Sequence, residues 1–261
     1  MRRVITLLIM LLAVASLFVG AAMPGNAAAV DNIDQLRQKA EQGDAHAQSI
    51  IGSMYFTGLG VLRDFQEAGK WYRPAAEQGN LIAQFNLGNM YYNGLGVPQD
   101  YQEAAKWFRL AAVQGFAPAQ CALGFMYADG RGVPQNYQEA VNWLRQAAAQ
   151  GDALSQVNLG VMYAKGQGVP QNYQEAMKWY RLAAEQGDAK AQVNLGVMYV
   201  AGRGVPQDYV EGCAWILMAS ANGDEKANQV KALLQQKMTA SQIAAAQQRA
   251  REIQAGLGRQ R

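Results

Sequence analysis

Histidine occurs once in this chain of 261 residues, at His46, and cysteine only twice, at Cys121 and Cys213. A single imidazole leaves a zinc site or a Ser-His-Asp triad without companions. Ser-x-x-Lys is absent, since Ser49, Ser53, Ser155, Ser220 and Ser241 are followed at the third place by Gly52, Phe56, Asn158, Gly223 and Ala244. The acylated serine of penicillin-binding proteins and β-lactamases therefore has no partner lysine. Excess charge is lacking too: the formal net charge is +3, and without Arg2 and Arg3 the chain has 21 bases against 20 acids. A nucleic-acid footprint is a clustered basic face, which this balance does not supply. These absences predict no catalytic residues, no metal and no cofactor.

The first 29 residues differ from the rest. Arg2 and Arg3 form a positive n-region, residues 4–19 are uncharged and apolar, and Asn26-Ala27-Ala28-Ala29 offers small residues for cleavage. This is the pattern of a secretory signal peptide. The expected cut follows Ala29, with cuts after Ala22 or Ala28 as alternatives. A retained anchor is the competing reading, because residues 4–22 approach the roughly 20 residues of a spanning helix. Cleavage predicts a periplasmic or secreted protein with no stable membrane insertion. Export would permit a disulfide. Cys121 and Cys213 fall in different structural units, however, and stacked layers about 10 Å thick hold them beyond the roughly 7 Å that a bridge allows. Two free, packed thiols are expected.

What the chain has in abundance is regularity. Its five tryptophans, Trp71, Trp107, Trp143, Trp179 and Trp215, are spaced by 36 residues. Tyr55, Tyr91, Tyr127, Tyr163 and Tyr199 keep the same step, as do Gly52, Gly88, Gly124, Gly160 and Gly196. A G-x-G pair follows in every unit, and Val-Pro follows it in four, at Pro98, Pro134, Pro170 and Pro206; the first unit has Leu62 there. A period of this length marks a solenoid, whose units bury their apolar faces on one another. Five units run over about 40–218.

Each unit reads as a helical hairpin. In the fourth, Gly151 ends the preceding helix, Asp152 is an N-cap, and helix A runs over about 153–165 to the break at Gly166-Gln167-Gly168. Asn172 caps helix B, and Glu175 completes a capping-box pattern. The pattern recurs as Asp64 with Glu67, Asp100 with Glu103, Asn136 with Glu139 and Asp208 with Glu211. Tyr173, Ala176, Trp179 and Tyr180 make the apolar stripe of helix B, with Glu175 and Lys178 paired outside. Gly160 sits mid-helix at a cost of about 1 kcal/mol relative to Ala, so its recurrence predicts a contact with no room for a methyl. The G-x-G pairs link helix to helix, whereas a phosphate cradle needs a strand before it.

These features resemble the Sel1-like repeat, a relative of the tetratricopeptide repeat. Unit five carries the match in Ala184-Glu185-Gln186-Gly187-Asp188, Leu195-Gly196-Val197-Met198-Tyr199, Gly202-Arg203-Gly204-Val205 and Ala214-Trp215. The resemblance implies an all-α, right-handed α-solenoid of antiparallel helix pairs with a concave face lined by helix A. It also implies a non-catalytic adaptor or scaffold, with exported bacterial members linked to envelope regulation, secretion and host interaction. The expected division is a signal peptide at 1–29, an N-terminal capping helix at 30–43, the repeats at 44–218 and C-terminal capping helices at 219–261. Arg37 aligns with Arg73, which is what makes the first cap read as a helix B alone.

Five helix A columns, starting at His46, Ser49, Ile50, Ser53 and Phe56, vary between units and are expected to line the groove. They nominate Asn86, Asn89, Tyr92, Phe125, Asn158 and Asn194 as partner-binding residues. A row of carboxamides can hold an extended peptide, because each both donates and accepts. Bridging between hairpins is the structural alternative for Asn86, Asn158 and Asn194. The expected function is a monomeric protein that binds a protein or peptide and no nucleic acid. A cell-wall hydrolase or ligand-binding protein of β-lactamase-like type is the alternative.

Overall fold

The computed structural model describes residues 26–258, which form thirteen α-helices with no strand among them. Helix α1 (Asn26–Glu41) precedes five hairpins, each an A helix followed by a B helix. The pairs are α2 (Ala45–Thr57) with α3 (Phe65–Glu77), α4 (Leu81–Asn93) with α5 (Tyr101–Val113), α6 (Ala117–Asp129) with α7 (Tyr137–Ala149), α8 (Ala153–Lys165) with α9 (Tyr173–Glu185), and α10 (Ala189–Ala201) with α11 (Tyr209–Ala221). Helices α12 (Glu225–Lys237) and α13 (Ala240–Gly258) follow. The expected signal peptide lies outside the described residues, apart from 26–29, which are the first turn of α1.

Local chemistry sets these boundaries. The αL glycine that ends each A helix is Gly58, Gly94, Gly130, Gly166 or Gly202, all with φ between 65° and 79°. An Asp or Asn side chain caps every B helix, and Asp100, for example, accepts from the backbone N–H groups of Gln102 and Glu103 at 2.9 and 3.0 Å. The capping box expected here is not completed. The N-cap N–H of Asp64, Asp100, Asn136, Asn172 and Asp208 donates instead to the carbonyl of the tyrosine in the preceding A helix, at 2.9–3.0 Å. The glutamate is thereby free to pair outward, as Glu103 does with Lys106 at 2.5 Å and Glu175 with Lys178 at 2.5 Å.

Each hairpin closes on its glycine. A Cβ on Gly160 would lie 2.6 Å from the Tyr180 ring, and one on Gly124 would lie 2.7 Å from Leu144 Cγ. The absence of a methyl is what allows Tyr72, Phe108, Leu144, Tyr180 and Ile216 to be buried. These residues stand one place after each tryptophan. The tryptophans lie elsewhere than expected. Trp107, Trp143 and Trp179 are half-buried and pack on clusters that the preceding B helix shares with their own A helix, so they lie at the joint between units.

Two further ladders tie the stack together. Arg73 donates to the Tyr91 hydroxyl at 2.5 Å and Arg145 to that of Tyr163 at 3.1 Å, while Arg37 on α1 reaches Tyr55 at 3.3 Å. Helix α1 thus occupies the place of a B helix. Deeper in, Gln48, Gln84, Gln120, Gln156 and Gln192 are buried. Each donates to an alanine carbonyl of the preceding B helix, as Gln120 does to Ala112 at 3.1 Å. Their own carboxamide oxygens accept from the end of the following B helix, as Gln120 does from Gln150 at 2.8 Å. One side chain therefore joins three helices with no buried polar atom left over.

Candidate functional site

Chemistry has little to work with among the described residues. No group of three His, Cys, Asp or Glu residues could hold a metal. His46 is exposed. Cys121 and Cys213 are free and buried, as the spacing predicted, and burial pushes both thiols up, so the nucleophilic thiolate is suppressed. Among the described residues no helix is long and apolar enough to cross a membrane.

The helix A face is the remaining candidate, and the structure separates its columns. The Ser49 column, continued by Phe85, Cys121, Val157 and Val193, is buried throughout. It packs each A helix on the next, as where Phe85 joins Ala119 and Ala122. This column belongs to the core and not to the groove.

The six nominated residues also divide. Asn86 and Asn89 are only 2% and 4% exposed, with Asn86 Nδ2 and Asn89 Oδ1 buried and unpartnered. They lie in the unit where Phe85, Tyr92, Tyr101, Phe108 and Phe116 stack at 5.1–6.4 Å, which closes the face there. The Tyr92 hydroxyl accepts from Arg131 at 2.6 Å, and the Arg131 guanidinium lies 5.9 Å from the Tyr92 ring centroid. Burial raises the Tyr92 phenol above its ordinary range, against the opposing pull of Arg131. Phe125, Asn158 and Asn194 are half-buried and open to one side.

Bridging between hairpins falls to the glutamine ladder, not to these asparagines. Asn158 Nδ2 donates within its own helix, to Leu154 at 2.6 Å, and Asn194 makes no hydrogen bond among the described residues. The glutamines were legible as a polar residue recurring on an otherwise apolar face, and reading the asparagines for variability passed over them.

The column through Ser53 changes character along the stack. Ser53 and Asn89 are buried, Phe125 and Val161 are half-buried, Val197 is 37% exposed, and the next place on α12 is Leu233, 60% exposed. Val161, Val197 and Leu233 were not nominated from sequence. Leu233 was missed because α12 lacks the Leu-Gly-x-Met-Tyr signature that fixes the register of the other A helices.

Comparison with known proteins accords with this architecture. The family described as Sel1 repeat matches five times in tandem, at residues 45–80, 81–116, 117–152, 153–188 and 189–224. A protective antigen present in uropathogenic Escherichia coli strains, described as displaying an SLR fold, is 38% identical with a TM-score of 0.77. That match covers 84% of this chain and 48% of the antigen, so the chain spans about half the length of that relative. A Sel1 repeat protein from Oxalobacter formigenes is also 38% identical, with a TM-score of 0.69, over 73% of this chain and 76% of that one. Over 44 residues the chain is 46% identical to the secretory immunoglobulin A-binding protein EsiB of Escherichia coli, a match covering 17% of this chain and 9% of that protein.

Proposed function

The chain belongs to the Sel1 repeat family, and on that premise we propose that it is an exported adaptor that binds a protein partner along the helix A face and carries out no catalysis. Sel1 repeat solenoids generally mediate protein–protein interaction, and one relative is named for binding an immunoglobulin. The observation that carries the reading is the open part of the helix A face, where Phe125, Val161, Val197 and Leu233 are aligned beside Asn158 and Asn194. A solvent-facing apolar row beside the Asn194 carboxamide and the free Asn158 carboxamide oxygen is a surface suited to peptide contact. Asn86 and Asn89 support that face from beneath, and Tyr92 forms its closed end.

Export rests on residues 1–29, whose charge and small-residue pattern is that of a cleaved signal peptide. Residues 30–43 and 219–261 act as caps, consistent with the Arg37–Tyr55 contact and with α13 lying on α11. The protein works as a monomer in the periplasm or outside the cell.

Site-specific photocrosslinking tests the reading. A photoreactive residue at Val197 should yield a discrete protein adduct in the native compartment, whereas one at Leu110, exposed on a B helix, should not. Adducts from both positions in equal measure, or from Leu110 alone, would remove the helix A face as the binding surface. Turnover of a chromogenic β-lactam by the purified protein would replace it with the hydrolase reading.

A further inference from the structure

The B helix of the fifth hairpin is built to be covered on its outer side. Val210, Ala214 and Leu217 stand there at positions that are polar in the other four units, as with Gln102, Lys106 and Arg109 in the second. Ala214 is fully buried, whereas the Lys70, Lys106 and Lys178 side chains at the same repeat position are 69% exposed. The cover is α13. Its Ile243, Ala246, Ala250, Ile253 and Leu257 recur at alternate spacings of three and four, the heptad pattern of a helix that lies along another. All five are buried or half-buried. Ile243 and Ala246 join the cluster of Val210 and Leu217, and Ile253 joins that of Trp215. On the flank Arg249 donates to Glu211 at 2.7 Å, and the Glu211 side chain is only 14% exposed.

This cover stands apart from the repeat. The B helix of each hairpin packs on its own A helix, but α13 packs along α11 with no comparable packing on α12. It carries its own start signal: Thr239 Oγ1 accepts from the Gln242 N–H at 3.3 Å, and Gln242 Oε1 accepts from the Thr239 N–H at 2.9 Å, a completed capping box. With 19 residues it is longer than the roughly 12–15 below which isolated helices are marginal in water. Its hold is thin, because Ala246 is the only fully buried side chain of α13 among the described residues. Leaving α11 therefore costs α13 neither its own helix nor any contact between the five hairpins.

We propose that the outer face of α11 is a second docking site, independent of the helix A face and held shut by α13. Its partner is an amphipathic helix of another protein with the α13 pattern: apolar residues alternately three and four apart, and a basic residue immediately before the third of them. The seated helix is the template for that partner. Glu211 pairs with the basic residue, and Val210, Ala214 and Leu217 take the apolar ones.

The probe is a fluorescein-labelled peptide of residues 239–258, titrated with the full chain and read by fluorescence anisotropy. In the native chain the tethered α13 competes at high effective concentration. Arg249→Ala with Ile253→Asp weakens that competitor, so the peptide should bind this variant chain at least tenfold more tightly than the native one. The same two substitutions placed in the peptide should abolish binding. A chain with Glu211→Arg should prefer a peptide carrying Arg249→Glu over the native peptide by at least tenfold, a preference that a merely loosened fold would not produce. Equal binding to native and variant chains, no binding to the variant, or indifference to the charge reversal overturns the proposal. So does a native chain that pairs with itself at rising concentration and loses that pairing with Ile253→Asp, which would assign the face to exchange of α13 between copies. The Val197 crosslink bears on the helix A face alone, so neither result decides the other.

Discussion

Glycine and glutamine carry more of this structure than the tryptophans that make it conspicuous. Gly196 faces the Gly212 carbonyl oxygen, and a Cβ would lie 2.7 Å from that backbone atom, which has no rotamer to change. Replacement by Ala should gain about 1 kcal/mol of helix propensity and lose about 1–3 kcal/mol to overpacking, so the melting temperature should fall. Gly69→Ala is the control, because the nearest atom to its Cβ is the flexible end of Met90 at 3.1 Å. Its melting temperature should hold or rise. Gln120→Leu should cost more than an ordinary surface change, roughly 1–3 kcal/mol, because it removes the buried hydrogen bonds that tie Ala112 and Gln150 together through one side chain. Asn158→Ala with Asn194→Ala should leave melting almost unchanged, since neither side chain joins two helices; a drop of several degrees would return them to the scaffold. The two thiols should be silent to a thiol reagent in the native state and both react after denaturation. Rapid native labelling of Cys121 would contradict its burial.

At the scale of the helix, the sequence was legible wherever one residue sets a boundary by itself. Asp152 and Gly166 bracket α8 at Ala153–Lys165, because a cap and an αL glycine each act within one turn. The close approach at Gly160 was legible for the same local reason. Periodicity was less informative about neighbours. It placed Trp179 and Tyr180 on one apolar face, yet only stacking determines that Tyr180 fills its own hairpin while Trp179 reaches the unit before. Burial of Asn86 and Asn89 was illegible too, since the column that exposes Asn194 is closed by the aromatic bulk of the second unit.

The last helix shows how an element departs from the repeat. In unit five the lysine position is Ala214, so Glu211 accepts instead from Arg249 of α13 at 2.7 Å and from Trp215 Nε1 at 3.1 Å. Trp215 is consequently 2% exposed where its counterparts are half-buried, and Ile253 packs on the same cluster. Arg249→Ala should loosen α13 selectively, seen as faster amide exchange over Ala240–Gly258 with little change in the first three hairpins. Uniform acceleration along the chain would show instead that the stack melts as one unit.

Across the whole molecule, two kinds of column run through the same helices. One kind is invariant along the stack: the glycines that close each hairpin, and the glutamine, arginine and tyrosine ladders that hold unit to unit. The other changes from Ser53 and Asn89 to Val161, Val197 and Leu233, moving from buried and polar to exposed and apolar. Structural demands explain the first kind, whereas the exposed end of the second, Val197 and Leu233, joins none of the core clusters. On the proposed function, partner recognition resides at the open end of the helix A face. The most direct measurement is the dissociation constant of the protein captured through Val197, determined for the native chain and for Val197→Asp. The account predicts at least a tenfold weakening, about 1.4 kcal/mol or more, with an unchanged melting temperature. Undiminished affinity in the substituted protein would contradict it.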